Sequence, residues 1–273
     1  MSKVIILGSG AAPGVPSLAY GFGDCDPKEE KNIRLRSGTY MEISGVKLLI
    51  DTSPDLRMQL ILSNIRDVDA VFYTHAHADH LHGIDDLREI NRITGRAIEL
   101  FASPENLSVI RTRFPYLIVE KGEDVDPVYR AALHPNAFEY EKSFYFRELK
   151  VTPIKLQGHN VECSGYIFND GEVVHISDFR DILGFQCITT GSEQIQRLTV
   201  HEENRFLRLV NDELCQAVKI LAGMLPNEGA VVTLVLDNFG NVTHKVIISP
   251  FCDFSMCLFT NVIYLYTVRF LSL

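Results

Sequence analysis

Apolar residues fall in short runs along most of the chain, and their spacing separates strands from helices. Lys3–Leu7, Thr39–Ile43, Val46–Ile50, Ala70–Thr74 and Ala97–Phe101 are β-rich runs of strand length. Leu149–Ile154, Gly165–Phe168, Val173–Ile176 and Ala230–Leu236 continue the series. Asp55–Leu62 and Gly83–Ile93 predict short helices. Asn204–Met224 predicts a long one, because Leu207, Val210, Leu214, Val218 and Leu221 recur at spacings of three and four along one face. The early strands read as neighbours without helices, and the later ones alternate with helices. That mixture predicts sheets packed on each other with helices outside: an α/β, four-layer αββα sandwich rather than a doubly wound sheet. Residues 120–142 are polar, punctuated by proline and long for a connection, so they predict a loop over a site. The sequence contains no internal repeat and no low-complexity linker.

With 273 residues and 46% hydrophobic content, the chain suits one large domain or two small ones with a full core, which excludes disordered and fibrous classes. A net charge of −9 argues against a general electrostatic grip on nucleic acid or an anionic membrane. The six cysteines (Cys25, Cys163, Cys187, Cys215, Cys252 and Cys257) form no C-x-x-C pair, so a zinc ribbon and a disulfide scaffold both fit badly. The opening MSKVIILGSG lacks the apolar length and cleavage site of a signal peptide and is expected to be the first strand of a cytoplasmic protein. Residues 251–273 form an atypical apolar tail. Asp253 and Arg269 interrupt it, and the clean stretch between them falls short of the roughly 18 residues a spanning helix needs. A buried edge strand is the favoured reading over a membrane anchor, with a tail read in a shifted frame as the third.

Chemistry concentrates in DAVFYTHAHADHLHG, residues 69–83. A strand delivers the chain into a tight loop. His75 and His77, two apart in extended backbone, point the same way and can reach one ion. Asp79 and His80 follow at the entry to a helix and point to a second position. Imidazole and carboxylate together suit Zn²⁺, Mn²⁺ or Fe²⁺. Downstream, His159 follows one strand and Asp178 another. An ordinary loop histidine and a helix N-cap are the competing readings of those two. LGSGAAPG after a strand resembles a dinucleotide-binding turn, but Pro13 falls where the helix would run and no acidic residue closes a second strand. No G-x-S-x-G elbow occurs.

The H-x-H-x-D-H pattern resembles the metallo-β-lactamase superfamily. LGSGAAPGVPS, GDCDPKEEKNIRLRSG, LLIDTSPDLRMQL and YTHAHADHLHGIDDLREIN are more specific, and resemble its phosphoribosyl 1,2-cyclic phosphate phosphodiesterase branch. The resemblance covers residues 1–182 within an expected domain of residues 1–250. It implies a metal-dependent phosphodiesterase acting on a small, possibly cyclic diester through a metal-bridging hydroxide, with two divalent ions per chain, zinc or manganese. It implies His75, His77 and His159 at the first ion, Asp79 and His80 at the second, and Asp178 as the bridge. Asp79 also orients the nucleophile. His244 is the best candidate for the last second-site ligand, with Asp237 and His201 still open.

Asp51 is expected behind the histidines as an acceptor that fixes their tautomers, a polar strand-end cap being the other reading. Arg57 and Arg88 either hold phosphate oxygens or pair with Asp55 and Asp85, and pairing is favoured. His82 joins Asp51 and Arg88 as a candidate for supporting ligands or touching substrate. Some members of the branch carry a further zinc on clustered N-terminal cysteines, but only Cys25 stands there, so no such site is expected. The competing functions are a tRNA 3′-end nuclease, which would want a basic exosite, and a metal-binding protein with impaired activity because the sequence after residue 182 diverges. No membrane partner and no general nucleic-acid partner are expected, and a homodimer stays open.

Overall fold

The structure, a computed structural model, describes residues 2–157, 160–178, 181–182, 189–190, 194–195, 231–236 and 242–248. Two sheets carry it. The first is mixed, in the order β1 (Lys3–Gly8), β2 (Gly38–Ile43), β3 (Val46–Ile50), β4 (Ala70–Phe72), β5 (Ile98–Ala102) and β6 (Leu133–Ala137). β1 to β3 form antiparallel pairs, and β3 to β6 run parallel. The second is antiparallel and built on β7 (Phe144–Phe146), β8 (Leu149–Gln157), β9 (Cys163–Phe168), β10 (Val173–Ile176), β11 (Asp181–Ile182), β14 (Val231–Leu236) and β15 (Val242–Ile248). β12 (Thr189–Thr190) and β13 (Gln194–Ile195) pair with each other.

Alternation along the strands of the first sheet sorts its side chains to two cores. Leu49, Val71, Tyr73 and Leu100 face α1 (Leu56–Leu62), α3 (Leu87–Thr94) and α4 (Pro104–Arg113), meeting Leu56, Leu60, Leu87, Ile90, Leu107 and Ile110. Met41, Leu48, Ile50, Ala70 and Phe72 face the second sheet, meeting Leu149, Val151, Tyr166, Phe168 and Val173. Phe72 is the hub of this inner core, stacked on Phe101 and edge-on to Tyr166 and Phe168. The two sheets are also stitched directly: Ser164 N donates to Thr74 O at 2.8 Å, and the Tyr166 hydroxyl donates to Tyr73 O. Helix, sheet and sheet are layered in that order among the described residues, three of the four layers expected of an αββα sandwich. The long helix expected over 204–224 and the tail 251–273 lie outside the described residues.

Two expectations need correction, and one helix was not expected at all. The helices alternate with the middle strands, β3 to β6, while β7 to β10 follow one another as neighbours. Residues 120–142 are not all loop, since Leu133–Ala137 forms β6. Its sequence, LHPNA, hides the strand because an edge position tolerates the missing N–H of Pro135. The helix α4 was also not foreseen, although Ser103 caps it by accepting from Asn106 N and Pro104 opens its first turn. No helix among the described residues is long and apolar enough to cross a membrane.

Candidate metal centre

Parallel strands in a sheet leave a crevice at their carboxyl ends, and the chemistry-bearing residues gather there. Asp51 stands at the end of β3 and Thr74–His75 just past the end of β4. Asp178 lies two residues past β10 of the other sheet. Both aspartates adopt left-handed backbone, with φ of 61° at Asp51 and 48° at Asp178. Non-glycine residues rarely accept this conformation, and such strain collects where side-chain aim matters.

The histidine loop is fastened to the β3 end by backbone bonds. Thr52 N donates to His80 O at 2.7 Å, and Gly83 N donates to Thr52 O at 2.9 Å. Thr52 Oγ1 donates to Leu81 O, leaving its lone pair for the hydroxyl of Tyr73. The approach is close enough that a Cβ on Gly83 would meet Ser53 O at 1.9 Å. The result seats the Asp51 carboxylate beneath α2 (Ala78–Leu81). It accepts from Thr74 N, Thr74 Oγ1 and His80 Nδ1, each at 2.7 Å.

Above that carboxylate the imidazoles converge. His75 and His80 are buried with ring centroids 4.2 Å apart, and His77 packs edge-on against His75 at 4.7 Å. Asp178 Oδ2 lies 3.1 Å from His80 Nε2 and 3.7 Å from His75 Nε2. Asp79 Oδ2 lies 3.5 Å from His80 Nε2. The donor atoms of His75, His80 and Asp178 all fall within 4.8 Å of one another. Four ligands around a zinc ion at 2.0–2.1 Å stand about 3.3 Å from each other, so buried imidazoles and carboxylates at these separations fit a borderline divalent cation.

The surroundings favour positive charge. Burial alone would lower the pKa of His80, but the carboxylates of Asp51 and Asp178 overcome it and hold the imidazole well above its ordinary value. His175, on β10, goes the other way, to about 3, through burial and then the charge of His80. Burial, followed by the charges of Asp178 and Asp51, pushes the Cys163 thiol far up. It stays protonated and donates to Ser177 O at 3.5 Å, with its sulfur 3.8 Å from His75 Nδ1. From outside, the exposed Arg113 at the end of α4 donates through Nη1 to Ala76 O at 2.8 Å, clamping the backbone between His75 and His77.

Of the residues singled out in the sequence, the structure brings together His75, His80 and Asp178, with Asp79 and His77 alongside and Asp51 behind. His159, Asp237 and His201 lie outside the described residues. His244 falls within β15, opposite Val235, rather than beyond the end of a strand. His82 is exposed at the C-terminal cap of α2, with Phe114 edge-on at 5.8 Å. Asp55 pairs with Arg36 and not with Arg57, whose backbone N–H instead meets Asp86. Arg36 wins because it lies on the crossing segment, where both its backbone and side chain reach Asp55. Arg88 is exposed on α3 and makes no ion pair among the described residues. Thr74, Cys163 and Arg113 were missed. Thr74 had a signal, being the residue that joins a buried strand to the first histidine.

Residues 47–184, half of the chain, match the model of a family described as the beta-lactamase superfamily domain. A solved structure described as a new diphosphatase from the PhnP family is 29% identical with a TM-score of 0.52, covering 62% of this chain and 63% of that one. An octanoyltransferase of Porphyromonas gingivalis is 30% identical over 181 residues, which are 66% of this chain and 35% of that protein. A ribonuclease Z of Clostridioides difficile is 27% identical over 139 residues, 50% of this chain and 44% of the enzyme. The chain thus spans about a third of the octanoyltransferase and less than two thirds of the other two.

Proposed function

We propose that this chain, which belongs to the beta-lactamase superfamily, is a metal-dependent phosphodiesterase acting on a small diester. The observation that carries the reading is Asp178 Oδ2 facing both His75 Nε2 and His80 Nε2, at 3.7 and 3.1 Å, between strand ends of two sheets. The 29% identity to a diphosphatase of the PhnP family supports a phosphoryl substrate. In this reading His75, His77, Asp79, His80 and Asp178 hold two divalent ions, zinc or manganese, with His159 and His244 as further candidates. Ions bound there supply the Lewis acidity that activates water and offsets charge on the phosphoryl oxygens.

The side chains supply the rest. Asp51 holds His80 so that Nε2 faces the centre. Asp79, whose side chain is 18% exposed, reaches both solvent and the centre. Its carboxylate aligns the attacking water with the leaving oxygen and takes its proton. Oxygen from water bonds to phosphorus as the P–O bond to the leaving alcohol breaks; the alcohol oxygen takes a proton, and a phosphomonoester remains.

The test is an assay of metal-loaded protein on cyclic and linear phosphodiesters, a phosphomonoester, a β-lactam and a thioester. Fastest turnover of a small diester, with the monoester left intact, is the expected result. Preference for the lactam or the thioester at equal metal loading overturns the reading. The 27% identity to a ribonuclease Z supports a second one, cleavage at the 3′ end of tRNA precursors. A precursor carrying a 3′ trailer, added to the same assay, separates the two.

A further inference from the structure

Thr74 touches both halves of the centre. It is fully buried, with its hydroxyl 2.7 Å from Asp51 Oδ2 and 3.0 Å from His75 Nδ1. A hydroxyl has one proton to give, and a carboxylate oxygen can only accept. The Thr74 proton therefore goes to Asp51, and the lone pair of Thr74 is what faces His75. A contact of 3.0 Å is then a hydrogen bond only if the imidazole carries its own proton on Nδ1. Nε2 keeps its lone pair, and Nε2 is the atom turned toward Asp178. Cys163 does not supply this function, since its thiol proton is directed at Ser177 O and its sulfur is a weak acceptor 3.8 Å away. The same Asp51 oxygen receives His80 Nδ1. One oxygen atom thus sets both imidazoles, His80 directly and His75 through Thr74.

We propose that Thr74 is a positioning residue of the metal centre, and that its hydroxyl, rather than its bulk, fixes the tautomer and aim of His75. The inference concerns which nitrogen is offered to a cation and stands whichever ester is cleaved.

Thr74→Val preserves shape and removes the hydroxyl, while Thr74→Ser preserves the hydroxyl. Zinc affinity, measured by competition with a chelator, is expected to fall about 10–100-fold in the valine variant and to stay within about threefold of the parent in the serine variant. Nitrogen spectra of metal-free protein with isotope-labelled histidine, recorded at alkaline pH, should place the His75 proton on Nδ1 in the parent and serine forms. Unchanged zinc affinity in Thr74→Val, or a serine variant as weak as the valine one, overturns the proposal. If the valine variant does not fold, the parent spectrum decides alone: a His75 proton on Nε2 overturns it.

Discussion

Asp51 Oδ2 and His80 Nδ1 meet at 2.7 Å, with neither side chain more than 3% exposed. The contact ties the end of β3 to α2 and orients the imidazole that faces Asp178. Asp51→Asn keeps the shape and removes the charge. Metal affinity is expected to drop about 10–100-fold, the usual cost of losing a carboxylate behind a ligating histidine. The fold should lose on the order of 1–3 kcal/mol, because a buried donor loses its charged acceptor. Chelator competition and thermal unfolding measure the two effects, and parental metal affinity would reject the assignment.

His75→Ala and Asp178→Ala should each lower the metal bound per chain and cut phosphodiester turnover by about two orders of magnitude or more. His82→Ala should do neither, since that ring is exposed and turned toward Phe114. Elemental mass spectrometry on the three purified variants is the check. Equal metal content in all three would remove His75 and Asp178 from the site.

Gly83→Ala tests how the loop is seated. The added methyl would lie 1.9 Å from Ser53 O and 3.0 Å from Leu56 Cβ, and neither atom can swing aside. The expected cost is about 1–3 kcal/mol or more of stability, with weaker metal binding because α2 must lift off Asp51. Denaturant unfolding of metal-free protein reads the first effect; an unchanged midpoint would mean the segments are not in contact.

Acid should act through Asp69, which precedes β4 while the histidines follow it. Burial raises its pKa, but hydrogen bonds from Lys47 N, Arg96 and Arg147, each at 2.9 Å, bring it below the ordinary value. A carboxyl depressed in the fold stabilises it fully above its unfolded pKa of about 4. That contribution disappears as pH falls through the folded value. Asp69→Asn is expected to be less stable than the parent at neutral pH and to lose less on acidification below about pH 4. Urea unfolding at the two pH values checks this, and parallel losses in both proteins would contradict it.

Much of this was legible in the residues. The H-x-H-x-D-H run announces the clustering of its side chains because a strand end and a short helix fix the direction of all four by local geometry alone. Asp178 was legible from its place after a buried strand. Its pairing with both His75 and His80 was not, since that depends on how the second sheet meets the first. Arg113 escaped for the same reason: an arginine at a helix end is common, and only the fold brings it to the histidine loop. Thr74 stood beside His75 in the sequence, but its bond to Asp51 depends on how β3 and β4 pair. β6 escaped because edge strands need little alternation, and Asp55 found Arg36 because a crossing segment outcompetes a near neighbour.

Ser164 N bonding to Thr74 O, with the hydroxyl of Tyr166 on Tyr73 O, puts a mechanical coupling at the root of the histidine loop. The sheets cannot shear past one another without pulling on the backbone that leads into His75. Breathing between the layers is therefore felt first at the centre, and stiffness there is inherited from the whole inner core. A cavity opened at Phe72, the last residue of β4 and the acceptor of Asp51 N, should broaden the spread of distances at the histidines before it unfolds anything.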